Sequence, residues 1–387
     1  MSKAVLPTIV VTQFLCTSLW FAGNAVMPDL IQEMGVAPQF LAQATSAVQL
    51  GFVGGTLVFA LLALSDRFSA TKVYFTSAIV AAAFNLGLLF TLINPETIFA
   101  LRFGTGFFLA GIYPVGMKIA ADHFKEKLGA VLGWLVGALV LGTAFPHLVK
   151  SFTHALPWQW VFASTSALAI LGGLLMFLLV KPNQPAAMPT SLKFTAFLEG
   201  FRLPTFKSAA FGYFGHMWEL YSFWAFLPWI LQAWNQFSGQ QLNIPLVAFL
   251  IIALGFPACV LSGQLSLKYG AKLVATIALA CSGICCLISP LFLQQSSPIL
   301  FIGFLIFWSM MVIADSPLFS SLVAKYAPIQ SRGSALTIVN CIGFTITIIS
   351  IFTIQQLSVL VAPRFLYLVL AIGPVLGLIG LHQKQTP

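Results

Sequence analysis

Charge is what this sequence has least of: 7% of its 387 residues are Asp, Glu, Lys or Arg, while 59% are hydrophobic. A water-soluble globular chain carries roughly a quarter charged residues, so this one could not cover an aqueous surface of its size. Whole motifs are missing too. No G-x-x-x-x-G-K-[ST] phosphate loop occurs, which excludes an ATP-driven pump, and neither an H-E-x-x-H pair nor a G-x-S-x-G elbow is found. The six cysteines (Cys16, Cys259, Cys281, Cys285, Cys286, Cys341) lie inside apolar runs, with no C-x-x-C pair and no histidine at metal spacing. They read as small packing residues, and no metal or cofactor is expected.

Long apolar runs fill the chain instead. A bilayer span needs about 20 mostly apolar helical residues, at a rise of about 1.5 Å each through about 30 Å of hydrocarbon. Twelve runs meet that length: 5–28, 40–64, 72–93, 96–120, 129–149, 159–181, 207–236, 244–268, 271–293, 297–324, 334–356 and 362–382. The first is too long for a typical signal-peptide core and reads as a retained span. The expected fold is therefore all-α and integral to the membrane. It has two six-helix bundles, residues 1–181 and 207–387, joined by a Pro-containing cytoplasmic linker over 182–206 (Pro182, Pro185, Pro189, Lys193, Arg202).

The formal net charge of +9 is a topology signal rather than a nucleic-acid signal. With the N-terminus in the cytoplasm, fifteen basic residues fall inside: Lys3, Arg67, Lys72, Lys118, Lys125, Lys127, Lys181, Lys193, Arg202, Lys207, Lys268, Lys272, Lys325, Arg332 and Lys384. Only Lys150 and Arg364 face out, and Arg102 lies within a span. Both termini are then cytoplasmic.

The halves repeat. Gly51–Phe68 (GFVGGTLVFALLALSDRF) parallels Gly255–Gly270 (GFPACVLSGQLSLKYG), Pro114 parallels Pro317, and Gly129 parallels Gly333, all at an offset near 203 residues. Parallel six-helix repeats with a binding site near the midplane between them are one transporter plan.

On these features the chain resembles the major facilitator superfamily along its full length. SDRFSATK (Ser65–Lys72) is a degraded form of that superfamily's loop 2–3 signature: Asp66 and Arg67 match, while Leu62 and Ser69 stand where glycines are usual. The resemblance gives Asp66 and Arg67 a conformational role, and Pro317 with its repeat partner Pro114 can bend its helix as a gate requires. Arg102 with Gly106, in RFGTGFFLAG, is similar to the span-four motif. SLWFAGNAVMPDL (Ser18–Leu30), GIYPVGMKIAA (Gly111–Ala121) and GHMWELY (Gly215–Tyr221) look like a bacterial subgroup loosely allied to nitrate and cyanate permeases. Two departures narrow the reading. Spans two and eight lack the buried arginines of nitrate carriers, and span five lacks the antiporters' Gly-Pro pair. These argue against nitrate and, more weakly, against proton-driven drug export.

An ionisable side chain at membrane depth costs at least ~2.5–3.5 kcal/mol on insertion scales, so each one needs a reason. His216 and Glu219 lie three apart on one face of span seven, with Tyr213 and Phe223. Burial disfavours the charged form of either group, so a pair that alternates between wet and dry surroundings can take up and release protons. The plainer role is a fixed acceptor, Glu219 held by His216 or a tyrosine. Asp315 stands beside Pro317 in span ten with Trp308 on its face, suiting a proton site or gate, or else a helix cap or a pair with Lys325 or Arg332. Arg102 heads a face with Gly106, Leu109 and Tyr113; it suits an anionic substrate group, an ion pair with a buried acid, or snorkelling to the interface. Span one presents Gln13, Thr17, Trp20 and Asn24 on one stripe, and span two presents Gln49. The resemblance makes these cavity-lining residues, although interhelical hydrogen bonding accounts for any single one equally well.

The expected function is secondary transport of a small polar or charged organic solute by alternating access, with protons coupled in symport. His216, Glu219 and Asp315 would carry protons; Trp20, Asn24, Gln49, Arg102, Tyr113, Tyr213 and Trp308 would contact substrate. The expected partners are that solute, protons and membrane lipids, with the protein a monomer. An exporter of amphiphilic compounds is the alternative. A membrane sensor or an intramembrane lipid enzyme is the reading of another class, disfavoured because His216 has no serine or cysteine at a suggestive helical spacing.

Overall fold

The computed structural model describes residues 4–91, 94–124, 128–152, 157–181, 195–328 and 332–382. Among them every regular element is helical. Among the described residues nine helices are long and apolar enough to cross a membrane. The other three spans miss that mark for visible reasons. Span one is broken into Val5–Thr17, Ala22–Ala25 and Met27–Met34, span three (Ala70–Gly87) carries Lys72 and Asn85, and span seven (Pro204–Ser238) carries Lys207, His216 and Glu219 in its first half and Gln232, Asn235 and Gln236 in its second. The result is a twelve-helix membrane fold. Pro182, Pro185, Pro189 and Lys193 of the linker lie outside the described residues, as do Lys3, Lys125, Lys127 and Lys384 and the side chain of Arg332. The rest of the expected linker is not loop throughout, because Thr195–Phe201 forms a short helix and span seven already starts at Pro204.

The chain divides into two compact units, Met1–Leu192 and Lys193–Pro387. In the first, span two packs along span four, span three along span six, and span one against spans five and six. Small residues set these distances. A Cβ on Gly106 would collide with the carbonyl of Val48, and one on Gly51 with the carbonyl of Phe103, so spans two and four meet backbone to backbone. In the second unit span seven runs against spans eleven and twelve, and a Cβ on Gly215 would strike the backbone of Gly373.

The proline landmarks mark the same break in each unit. Span four stops at Leu109 and restarts at Tyr113, with Pro114 in the first turn; span ten stops at Ala314 and restarts at Ser316, with Pro317 in the first turn. Proline has no N–H to give an earlier carbonyl but is at home in a first turn. Span one is also interrupted, at Ser18–Phe21, whereas its counterpart span seven runs unbroken for 35 residues. Short polar ties finish the first unit. Lys118 pairs with Asp66 and donates to the Ser65 carbonyl at 2.5 Å, joining the span 2–3 loop to span four. Lys150 meets Asp29 at 2.6 Å, and the Trp158 indole donates to Glu33 at 2.5 Å.

Candidate functional site

In the second unit the helical spacing of His216 and Glu219 turns both inward, and both are 0% exposed, as is Asp315. They do not bond to each other. Glu219 is held by three neutral donors: Trp308 Nε1 at 2.6 Å and Cys286 Sγ at 3.2 Å on Oε1, and Ser282 Oγ at 2.9 Å on Oε2. The holder is therefore neither His216 nor a tyrosine. Ser282 and Cys286 lie one turn apart on span nine, Trp308 comes from span ten, and its ring packs on Phe223 at 4.5 Å. Ser282 Oγ also lies 3.1 Å from the Leu279 carbonyl. A hydroxyl both donates and accepts, so this one can donate to an ionised Glu219. It can equally turn to Leu279 and accept from a protonated Glu219.

Asp315 takes its position from the break in span ten and meets His216, Nδ1 to Oδ1 at 2.7 Å, rather than a lysine. His216 Nε2 and Asp315 Oδ2 have no hydrogen-bond partner among the described residues, and the same holds for Ser309 Oγ and Trp224 Nε1. Buried polar atoms are nearly always paired, so unpaired ones are places where water, a proton or a ligand can be received. The Tyr213 ring lies 6.2 Å from that of His216.

In the first unit Arg102 is 1% exposed. It meets no acid. Its Nη1 donates to Asn85 Oδ1 at 2.8 Å, and Nη2 donates to the carbonyls of Leu19 and Trp20 at 2.9 and 2.6 Å. Both carbonyls lie in the interruption of span one, where the backbone leaves the regular helical path. Asn85 in turn donates to Ser166 at 2.9 Å and to Thr165 and the Phe162 carbonyl at 3.2 Å. Arg102 thus ties spans one, three and six together.

The breaks also undo two expected stripes. Gln13 and Thr17 belong to one helix, Trp20 to the interruption and Asn24 to the next turn; likewise Tyr113 begins a new segment after the helix of Arg102 ends. Helical periodicity does not carry through a break. Asn24 donates to Thr45 at 2.8 Å, and the Trp20 ring lies 4.9 Å from Phe52. Gln13 and Gln49 are 0% exposed with both amide atoms unpaired among the described residues, as is Nε2 of the buried His147. Asn85, Ser282 and His147 were not singled out from sequence, and Cys286, read there as a packing residue, instead donates to Glu219. A polar residue in span three was the only signal for Asn85, and nothing in span nine showed that Ser282 and Cys286 aim at Glu219.

Two six-span units with proline-marked breaks define a multi-pass membrane protein of transporter architecture. The chain belongs to the Major Facilitator Superfamily, whose profile it matches over residues 9–351. It is similar to the inner membrane metabolite transport protein YgcS of Escherichia coli (strain K12), 29% identical over 36% of this chain and 34% of that protein. It is also similar to the efflux pump FUBT of Fusarium oxysporum, 26% identical over 41% of this chain and 27% of that protein. The match thus spans about a third or less of the length of these relatives. In fold it resembles the human organic anion transporter MFSD10 (TM-score 0.76, 15% identity, 98% of this chain and 99% of that one). The proton:xylose symporter XylE is comparable (TM-score 0.72, 15% identity, 98% and 95%).

Proposed function

We propose that the protein is a proton-coupled secondary transporter of a small polar or charged organic solute, working by alternating access and in symport, in a bacterial inner membrane with both termini cytoplasmic. The observation that carries this reading is the shell of Glu219. A carboxyl enclosed by one reversible hydroxyl and two fixed donors can be accommodated with or without its proton. The nearby His216–Asp315 pair offers a second exchangeable proton, and its two unpaired atoms give that proton somewhere to go. Proteins similar in sequence include a metabolite transport protein and efflux pumps, which supports transport and leaves its direction to experiment. Trp308 and Tyr213 in one unit and Trp20, Asn24, Gln49 and Tyr113 in the other remain the residues proposed to meet substrate. Arg102 is proposed first as the tie that holds span one.

The test is reconstitution in liposomes enclosing a pH-sensitive dye, with pooled metabolites added outside. The parent should move protons with one pool. Glu219→Gln should lose accumulation yet keep exchange, because the amide cannot cycle a proton. Full accumulation by that variant would refute the coupling role. Proton movement by no pool would shift the reading to export of amphiphilic compounds, which a growth-inhibition assay with and without the gene would then measure.

A further inference from the structure

The second unit holds a recess of about 340 Å³ that belongs to neither group of buried charges. It lies where span seven ends (Ile230, Ala233, Trp234, Phe237), where span nine ends (Leu293, Gln294) and where span twelve begins (Arg364, Tyr367). Span nine has Lys272 in its first turn and reaches this recess 22 residues later, a rise of about 33 Å at about 1.5 Å per residue. The recess is therefore a full bilayer thickness away from the basic loops. Its volume falls in the range of small-molecule sites.

Its chemistry is two-sided. The floor is apolar and buried: Ile230, Trp234, Leu293 and Tyr367. Trp234 is held rigidly, stacked on Phe301 at 4.7 Å with its indole N–H donated to the Gln295 carbonyl at 2.7 Å. The rim carries one cation, Arg364, which gives a single hydrogen bond to Gln294 Oε1 at 2.9 Å and lies 4.4 Å over the Phe365 ring. A guanidinium has five N–H donors, so most of its capacity faces outward. No Asp or Glu occurs in 225–245, 285–305 or 355–372, the segments that build this end of the unit, so the unit supplies no counter-ion here. Exposed apolar side chains lead up to the recess at helical spacing: Ile284, Leu287 and Leu291 on span nine, with Ile372, Leu376 and Ile379 on span twelve. Such rows face hydrocarbon, and the recess lies at their end.

We propose that this recess binds an anionic phospholipid of the leaflet away from the basic loops. Arg364 and Gln294 take the phosphodiester, and an acyl chain lies against Ile230, Trp234, Leu293 and Tyr367. Charge complementarity selects an anionic head, because a cation beside an apolar wall favours a head group of net negative charge over one whose phosphodiester is already offset by an ammonium. The lipid-facing rows select an occupant with a hydrocarbon tail over a soluble anion. The proposal stands apart from the coupling chemistry and does not depend on it.

The experiment is native mass spectrometry of the full chain in detergent with phosphatidylglycerol, and with phosphatidylethanolamine of the same acyl chains. The parent should retain one phosphatidylglycerol in preference. Arg364→Gln should weaken that retention about tenfold, the loss of one charge-assisted contact, while Arg364→Lys retains most of it. Lys325→Gln, at the opposite end of the unit, should change nothing. Ala233→Phe, which fills the recess and leaves Arg364 in place, should also lose the lipid; if it fails to fold, the Gln and Lys variants at Arg364 still decide. Equal retention by Arg364→Gln and the parent would overturn the site. Displacement of the lipid by equimolar glycerol phosphate would overturn the acyl half of the proposal and leave a soluble-anion site.

Discussion

Removing Arg102 separates two roles that a buried cation can have. Arg102→Met deletes three hydrogen bonds of 2.6–2.9 Å, to Trp20, Asn85 and Leu19. Side-chain hydrogen bonds inside membrane proteins average about 0.6 kcal/mol and reach at most about 1.7, so three are worth about 2 to 5 kcal/mol. Removing a buried charge also returns its desolvation cost, which pulls the net effect toward the lower end. Two of the three acceptors are carbonyls in the interruption of span one, so the loss falls on the segment that joins its two helical pieces. The expected loss is therefore about 2 kcal/mol. Arg102→Lys should fall between, because one ammonium cannot copy a fork that spans Asn85 and two carbonyls. The assay is thermal unfolding of the purified protein in detergent, beside substrate concentration dependence in liposomes. An Arg102→Met variant that unfolds with the parent but needs far more substrate would refute the tie and restore a substrate-anion role.

Three further outcomes follow from the packing and the pairs. Trp308→Phe keeps the ring against Phe223 but removes the 2.6 Å donor to Glu219; it should cost about 1 kcal/mol of stability, and in a double-mutant cycle with Glu219→Gln the two losses should not add. Gly106→Val places a branched side chain against the Val48 carbonyl, so spans two and four must part, costing about 3 kcal/mol or more, seen as lost monodisperse yield on size-exclusion chromatography. Asp66→Asn breaks a pair whose side chains are 23% and 31% exposed, so stability should move by less than about 1 kcal/mol while turnover in liposomes falls; unchanged turnover would remove Asp66 from the conformational machinery.

Much of this molecule is legible without coordinates because the bilayer imposes one-dimensional rules. Span length follows from hydrocarbon thickness, and orientation is expected from the side that carries Lys and Arg. The repeat showed as a constant offset, and its two prolines stand where the two breaks occur. Burial of Arg102, His216, Glu219 and Asp315 was also readable, since each sits in an apolar run. Their partners were not. A helical wheel shows which residues share a face of one helix, but not which side chain of another helix fills the space opposite. Hence Asp315 meets His216 rather than Lys325, Glu219 is held by span nine and Trp308, and Arg102 is held by Asn85 and two backbone carbonyls. The interruptions in spans one and four also broke stripes that periodicity had drawn as continuous. Composition, span count and the buried charges are properties of the chain read in order. Their pairing is set by the register between helices, which depends on packing of small residues such as Gly51, Gly106 and Gly215 and is fixed only when the helices meet.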